Sequence, residues 1–171
     1  QLNLRSARCS DTYILKGEGT EEWAPRFTYH GFRYVQAEIS GKAELVSLTA
    51  EYVHSDVRPA GTFVCSDEAL NRLHRNAAIT ETNNLHSIMT DCPQRDERKA
   101  WTGDAQVFAD SALYNFDAQA FMREYEEKLG AATRQYGYAP AVLSLWDFFS
   151  NWACGWSDAL IIICYRLYEH S

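Results

Sequence analysis

The stretch Asp91-Cys92-Pro93-Gln94-Arg95-Asp96-Glu97-Arg98-Lys99-Ala100-Trp101-Thr102-Gly103-Asp104 decides how this sequence is interpreted. Seven of its 14 residues are charged, and acidic and basic side chains are mixed. Pro93 disfavours a helical conformation at Cys92, so the stretch is predicted to be a loop that enters a helix at about Asp104. Charges packed between helices need partners, and a functional site is one explanation for them. The alternative is a salt-bridged surface loop with Asp104 as a helix N-cap.

The chemistry that such a loop suits is glycoside hydrolysis. This reaction needs one carboxyl group that protonates the leaving oxygen and a second that activates water or acts as the nucleophile. Aromatic rings and bidentate polar contacts would hold the sugar. Arg95 and Arg98 oppose a raised carboxyl pKa, so these residues alone leave the identity of the acid open.

The residue pattern of the chain changes at Cys65, before this loop begins. Residues 11–65 contain short segments rich in β-formers, punctuated by glycine and proline, which predicts an antiparallel sandwich. After Cys65 the apolar period becomes helical. Four helices are predicted: one that starts at Ser66-Asp67-Glu68 with Leu70, Leu73 and Ala77 on one face, one over 104–115 with Val107, Phe108, Ala112 and Leu113, one over 117–129 that stops at Gly130, and a deeply buried one over 156–168.

Composition excludes several classes of partner. The 171 residues include 16 Lys and Arg against 23 Asp and Glu, for a formal charge of −7. An acidic chain is a poor nucleic-acid or anionic-membrane surface, and the apolar run Ala159–Tyr165 is too short to span a bilayer. The five cysteines favour buried thiols without disulfides. Gln1–Arg5 does not resemble a signal peptide, so a cytoplasmic location is the expectation.

The loop also resembles a known signature. Asp91–Arg98 (DCPQRDER) followed by Trp101–Gln106 (WTGDAQ) is similar to the signature of bacterial α-L-rhamnosidases of glycoside hydrolase family 78. Further segments resemble that family in the same order along the chain: Tyr13–Gly17, Pro25–Tyr34, Val53–Asp56, Phe63–Leu73, Gly155–Asp158 and Leu167–Glu169. The similarity covers nearly the whole chain.

The resemblance implies a fold and a domain organisation. It implies an α+β multidomain fragment, in which part of an antiparallel β-sandwich (1–65) precedes the first helices of an (α/α)6 barrel, also called a six-hairpin domain (66–171). The implied activity is inverting hydrolysis of terminal α-L-rhamnose from a glycoside or polysaccharide. No cofactor and no metal are implied, and the oligomeric state, the aglycone and the linkage are left open.

By motif position the resemblance also implies roles for individual residues. Glu97 corresponds to the general acid. The residues that correspond to the rhamnose-binding site are Asp91, Arg95, Trp101, Asp104 and Trp156. The general base is expected beyond Ser171, because no carboxylate in this chain matches it. Lys99-Ala100 departs from the apolar residue and glycine of the family, and Ala100 could disturb a turn that requires glycine.

Several alternatives remain at this point. The chain could be a carbohydrate-binding fragment without activity, since the second carboxylate is missing. His30 or His54 could be read as a base, although a structural role is favoured, and the His and Cys residues lack metal-ligand spacing. An aromatic cluster near Asp147 consists of Trp146, Phe148, Phe149 and Trp152. It could form a platform for the aglycone, but packing between helices is the favoured interpretation.

Overall fold

The structure is a computed structural model that describes residues 4–143 and 153–171. The Cα packing divides the chain into two units. The first consists of Gln1–Val53 with Pro93–Asp96, and the second of His54–Cys92 with Glu97–Ser171. The middle of the charged loop therefore groups with the first unit, whereas both of its ends belong to the second. The domain boundary at residue 65 stays a prediction.

Residues 4–65 contain no strand. Many apolar side chains that the sandwich prediction would bury are exposed, including Ile14, Tyr34 and Val46, with 86%, 86% and 80% of their surface accessible. Strands depend on neighbouring strands for their backbone hydrogen bonds and on a packed face for their apolar side chains. The described segment shows neither feature, and the sandwich stays a prediction.

Local polar contacts order parts of the first unit. The Glu21 carboxylate accepts hydrogen bonds from the Tyr13 hydroxyl at 2.8 Å and from the Lys16 backbone N–H at 2.9 Å. The Asp96 carboxylate accepts hydrogen bonds from the hydroxyl and the backbone N–H of Ser6. The Ser6 hydroxyl is the main reason that the pKa of Asp96 is lowered. Asp96 thus ties the middle of the charged loop to the first residues described.

The described part of the second unit contains four helices, as predicted. They are α1 (Glu68–Thr82), α2 (Thr102–Asn115), α3 (Gln119–Tyr136) and α4 (Ala159–Glu169). The Asp67 carboxylate, rather than Ser66, caps α1 by accepting a hydrogen bond from the Ala69 N–H at 2.8 Å. In the residues described, none of the helices is long and apolar enough to cross a membrane.

The core lies where α4 packs against α2 and α3. Ala105 and Ala109 of α2 are fully buried, and their small side chains let α4 approach closely. From α3 and α4 the core receives side chains at helical spacing: Met122, Tyr125, Leu129, Ala159, Ile163 and Leu167. Ala105 lies in the first turn of α2, so this turn is anchored in the core.

Three details of the helix predictions are wrong. Helix α3 continues through Gly130 and ends at Gly137, whose φ of 80° is left-handed. Helix α4 is not buried on most sides, because Ile161, Tyr165 and Tyr168 are exposed. Leu70 and Leu73 on the predicted face of α1 are exposed too. On the predicted face of α2, Val107 and Phe108 are exposed, whereas Ala112 and Leu113 are buried as expected. Propensity locates helices, but burial depends on which neighbours are present.

A buried polar network joins α1 to α2. The Glu81 side chain is buried, and its carboxylate accepts hydrogen bonds from Ser111 and, at 2.9 Å, from the Asn115 amide. His74 extends the network with a contact of 3.2 Å to Asn115 Oδ1. A buried carboxylate requires such partners, so this network constrains how the two helices pair.

All five cysteines are reduced thiols, but only Cys92 is buried. Cys9, Cys65 and Cys164 are partly buried, and Cys154 is exposed, so the expectation of buried thiols holds for one residue. The Cys164 thiol donates to the Glu126 carboxylate across α3 and α4 at 3.2 Å. Burial, reinforced by this hydrogen bond, raises the pKa of Cys164 to about 11, which keeps the thiol protonated.

Candidate active site

Asp91 closes the base of the charged loop. Its backbone N–H donates to the Lys99 carbonyl at 3.0 Å, and its carboxylate Oδ1 accepts from the Lys99 N–H at 2.8 Å. The nine-residue segment from Asp91 to Lys99 therefore begins and ends at adjacent points, and the same contacts orient the Asp91 side chain.

Glu97 is oriented by Trp101. The Trp101 indole N–H donates to Glu97 Oε1 at 2.8 Å, and both side chains are partly buried. The connecting chain turns sharply at Arg98, whose φ of 49° is left-handed and unusual for a residue other than glycine. Such backbone conformations often occur at functional sites, where surrounding contacts stabilise them.

The departure at Lys99-Ala100 does not create the expected backbone conflict. Ala100 has no positive φ, so its position does not require glycine. The residue is buried, and its carbonyl accepts a hydrogen bond from Leu143 N–H at 2.9 Å. The left-handed position in this turn belongs to Arg98 instead.

Asp104 lies in the first turn of α2, within the electrostatic reach of Asp91 and Glu97. It does not cap the helix, since the N-cap position is Trp101. Partial burial raises the pKa of Asp104, the helix N–H at its own position opposes the rise, and the negative charges of Asp91 and Glu97 add to it. Three carboxylates thus share one neighbourhood at the start of α2.

Aromatic rings stand beside these carboxylates. Trp156, which precedes α4, packs edge-to-face against Trp101 with ring centroids 6.5 Å apart and an interplanar angle of 66°. Its side chain remains 40% exposed. A carboxylate cluster flanked by indole rings can bind a sugar through its hydroxyl groups and its apolar face and can transfer a proton to it.

The structure thus brings five of the six predicted site residues together: Asp91, Glu97, Trp101, Asp104 and Trp156. Arg95 belongs to the first unit, and its part in the site stays a prediction. Thr102, Gly103 and Gln106 contact the Trp156 segment and were missed as site residues. Their signal in the sequence is that all three belong to the Trp101–Gln106 motif.

The other candidate residues have the following places. His30, in the first unit, has Nε2 at 2.8 Å from an Asp11 carboxylate oxygen. His54, in the second, has Nδ1 at 2.7 Å from the Ser55 carbonyl. The aromatic cluster and Asp147 lie outside the described residues. Within 4–143 and 153–171, no group of three or more His, Cys, Asp and Glu side chains could hold a metal ion.

Comparison with known protein families identifies the class of protein to which this chain belongs. Residues 58–171 match the bacterial α-L-rhamnosidase six-hairpin glycosidase domain. Residues 1–55 match the concanavalin-like domain of bacterial α-L-rhamnosidases. The helical unit is therefore part of a six-hairpin glycosidase domain. The chain belongs to the bacterial α-L-rhamnosidase family, which confirms the resemblance of its charged loop.

Individual relatives support this assignment over nearly the whole chain. An α-L-rhamnosidase from Streptomyces avermitilis is 40% identical over 172 aligned positions, which cover 98% of this chain and 16% of that protein. One from Formosa agariphila is 39% identical, covering 97% of this chain and 18% of that protein. The chain therefore spans less than a fifth of the length of these relatives.

Solved structures agree with the fold. The crystal structure of the Streptomyces avermitilis α-L-rhamnosidase complexed with L-rhamnose matches 97% of this chain and 16% of its own, with a TM-score of 0.86 and 38% identity. Native α-L-rhamnosidase from Aspergillus terreus matches 91% of this chain and 18% of its own, with a TM-score of 0.83 and 38% identity.

Proposed function

We propose that this chain is the segment of a longer α-L-rhamnosidase that supplies the general acid and part of the rhamnose-binding site. The observation that carries the proposal is the Trp101–Glu97 hydrogen bond within a cluster of carboxylates and indole rings. The family of the chain and the L-rhamnose complex of its Streptomyces avermitilis relative support rhamnose as the sugar.

In the proposed mechanism Glu97 protonates the oxygen of the leaving group. Asp91 and Asp104 accept hydrogen bonds from sugar hydroxyls, and the exposed surface of Trp156 contacts the apolar face of the ring. Arg95 is proposed as a further sugar contact. A base in the parent sequence beyond Ser171 activates water on the opposite face, so the anomeric configuration inverts.

The structure raises one competing assignment for the acid. Asp104 has a raised pKa, which is the usual property of a general acid. We assign the acid to Glu97 because the motif places it there and because Trp101 fixes the direction of its carboxylate. The two assignments predict different behaviour for the two carboxylate variants.

The experiment compares Glu97→Gln with Asp104→Asn in the full-length protein. Each is assayed on an aryl α-L-rhamnoside with a good leaving group and on an alkyl rhamnoside with a poor one. Glu97→Gln should lower turnover of the poor substrate roughly 10²–10⁴-fold and that of the activated substrate less. Asp104→Asn should affect both substrates alike and mainly raise KM. Near wild-type turnover of the alkyl rhamnoside by Glu97→Gln would refute the assignment.

Two further measurements test the rest of the proposal. Proton NMR of the first-formed product should show β-L-rhamnose if the reaction inverts, and α-L-rhamnose would contradict inversion. Calorimetry with L-rhamnose, combined with the two turnover assays, distinguishes an enzyme from a carbohydrate-binding protein. A binding protein without activity would bind L-rhamnose and hydrolyse neither substrate.

We also propose that residues 1–65 belong to a β-sandwich in the full-length protein. The support is the match of 1–55 to a concanavalin-like domain and the β-forming composition of this segment. Circular dichroism of the full-length protein should show a substantial strand contribution. A cytoplasmic location is proposed on the thiols alone, and cell fractionation tests it.

A further inference from the structure

Gly103 occupies an unexpected position in the first turn of α2. Glycine is the poorest helix former after proline, and a glycine inside a helix normally weakens it. Its φ is not positive, so the backbone conformation does not call for glycine. The reason for this glycine must therefore be sought in what lies next to it.

The neighbour of Gly103 is the indole ring of Trp156. A Cβ atom at position 103 would lie 2.6 Å from Trp156 Nε1, 2.7 Å from Cδ1 and 2.9 Å from Cε2. Real Cβ atoms essentially never approach other heavy atoms this closely. The indole thus lies directly on the helix backbone, in a space that exists only because residue 103 has no side chain.

Two other residues of α2 hold the backbone of the same segment. The Thr102 hydroxyl, fully buried, lies 3.0 Å from the Trp156 carbonyl. One turn later the Gln106 amide donates to the Gly155 carbonyl. Together Thr102, Gly103 and Gln106 form a surface, here called the Trp156 seat, that contacts both the backbone and the ring.

The position of the ring has a direct consequence for the site. Trp156 packs edge-to-face against Trp101, which in turn holds Glu97. A shift of the Trp156 ring therefore changes the wall beside the proposed acid. Trp156 is 40% exposed and does not belong to the buried core, so we expect a displacement of its ring to leave the core intact.

We propose that Gly103, as the centre of the Trp156 seat, is a positioning residue that sets how closely the Trp156 ring approaches the sugar. This proposal rests on the proposed function, because the role assigned to Trp156 is contact with rhamnose. Gly103 acts only through Trp156, and Thr102 and Gln106 keep the segment from moving away.

A double-mutant cycle in the full-length protein tests this role. Gly103→Ala should weaken L-rhamnose binding by on the order of tenfold in calorimetry and raise KM more than it lowers kcat. In a Trp156→Ala background the same change should have no further effect, because the ring through which it acts is gone. Wild-type affinity in Gly103→Ala, or an equal loss in both backgrounds, would refute the proposal.

The matched control is Gly130→Ala. It makes the same substitution inside α3, where the nearest atom to a new Cβ is the flexible Arg134 Nη1 at 3.5 Å. This variant should bind rhamnose as the wild type does. If it weakens binding as much as Gly103→Ala, the effect is a general one of helix stability and the proposal fails.

A spectroscopic measurement keeps this test independent of rhamnosidase activity. The Trp101–Trp156 pair should give an exciton couplet in circular dichroism, assigned by its loss in Trp101→Phe. Gly103→Ala should reduce this couplet and Gly130→Ala should not. If the wild type neither binds nor hydrolyses rhamnosides, the proposed function fails. The positioning role of Gly103 is refuted by a different result, which is an unchanged couplet in Gly103→Ala.

Discussion

The indole N–H of Trp101 donates a hydrogen bond of 2.8 Å to Oε1 of Glu97. An indole has one donor and no acceptor, so this contact commits the polar atom of Trp101 to the carboxylate. It limits the rotation of Glu97 and connects its direction to the ring that also packs on Trp156. The proposed acid is therefore oriented by a side chain from the N-cap of α2.

Replacing Trp101 by phenylalanine should remove this orientation while keeping an aromatic ring. We expect kcat for an aryl α-L-rhamnoside to fall by roughly 10–100-fold, since a misplaced catalytic group costs about this much. Steady-state kinetics of the full-length protein measure it. Trp23→Phe, which changes a ring stacked on Tyr13 in the first unit, is the control. An unchanged kcat in Trp101→Phe would show that Glu97 needs no such support.

Asp104→Asn should change how stability depends on pH. Partial burial and then the charges of Asp91 and Glu97 raise the pKa of Asp104 in the folded state, so the folded protein holds this proton more tightly than the unfolded chain. The wild type therefore loses stability as the pH rises from the unfolded pKa through the folded pKa. Compared with the wild type, Asp104→Asn should therefore have a larger free energy of unfolding at about pH 7 and an unchanged one at about pH 3.

The size of this gain should be small, because Asp104 is partly exposed and solvent screens its charge. We expect less than about 1 kcal/mol in urea unfolding, and a smaller difference at high salt. A variant that is less stable than the wild type at neutral pH would show that the Asp104 carboxylate makes a net favourable contact.

Tyr125→Phe should leave the stability unchanged or increase it by up to about 1 kcal/mol. The Tyr125 side chain is buried, and within the described residues its hydroxyl has no hydrogen-bond partner. Burial, with a smaller contribution from Asp104, raises the pKa of this hydroxyl, so it stays protonated. Chemical unfolding measures the difference, with the exposed Tyr168→Phe as control. A loss above about 1 kcal/mol would reveal a partner for the hydroxyl.

Two glycine substitutions, one inside α3 and one at its C-cap, should have opposite effects. Gly130→Ala should stabilise the helix by up to about 1 kcal/mol, because alanine is the better helix former and the site has room. Gly137→Ala should cost about 1–2 kcal/mol, because residue 137 ends the helix with a φ of 80°. Comparing the two unfolding free energies measures both effects. If both variants were destabilised, Gly130 would have a packing role that the structure does not show.

Much of the candidate site could be predicted from the sequence. The charged loop, the helix that follows it and the positions of Glu97, Trp101 and Asp104 all belong to one short segment. Because these residues are close in the chain, local geometry alone keeps them near one another. The acidic start of α1 at Asp67 is local in the same way, since a cap contacts only the first turn of its helix.

Which helix faces are buried could not be predicted in this way. Apolar periodicity identified α1 and α4 as helices, but Leu73 and Ile161 are exposed, because a face is buried only where another element covers it. The end of α3 was misjudged for a related reason. Gly130 continues a helix that packs on its neighbours, whereas α3 ends where Gly137 takes a left-handed conformation.

Sequence alone determined the family, the helical segments and the residues that we propose as the acid and its neighbours. The resemblance to the family already included Trp156, but only the tertiary structure shows how it is held beside them, since Thr102 reaches its carbonyl across 54 residues of sequence. The tertiary structure also shows that the Trp156 ring occupies the space that a side chain at residue 103 would need. A motif records which side chains are present, whereas the contact between a bare helix backbone and a distant ring exists only after the chain has packed.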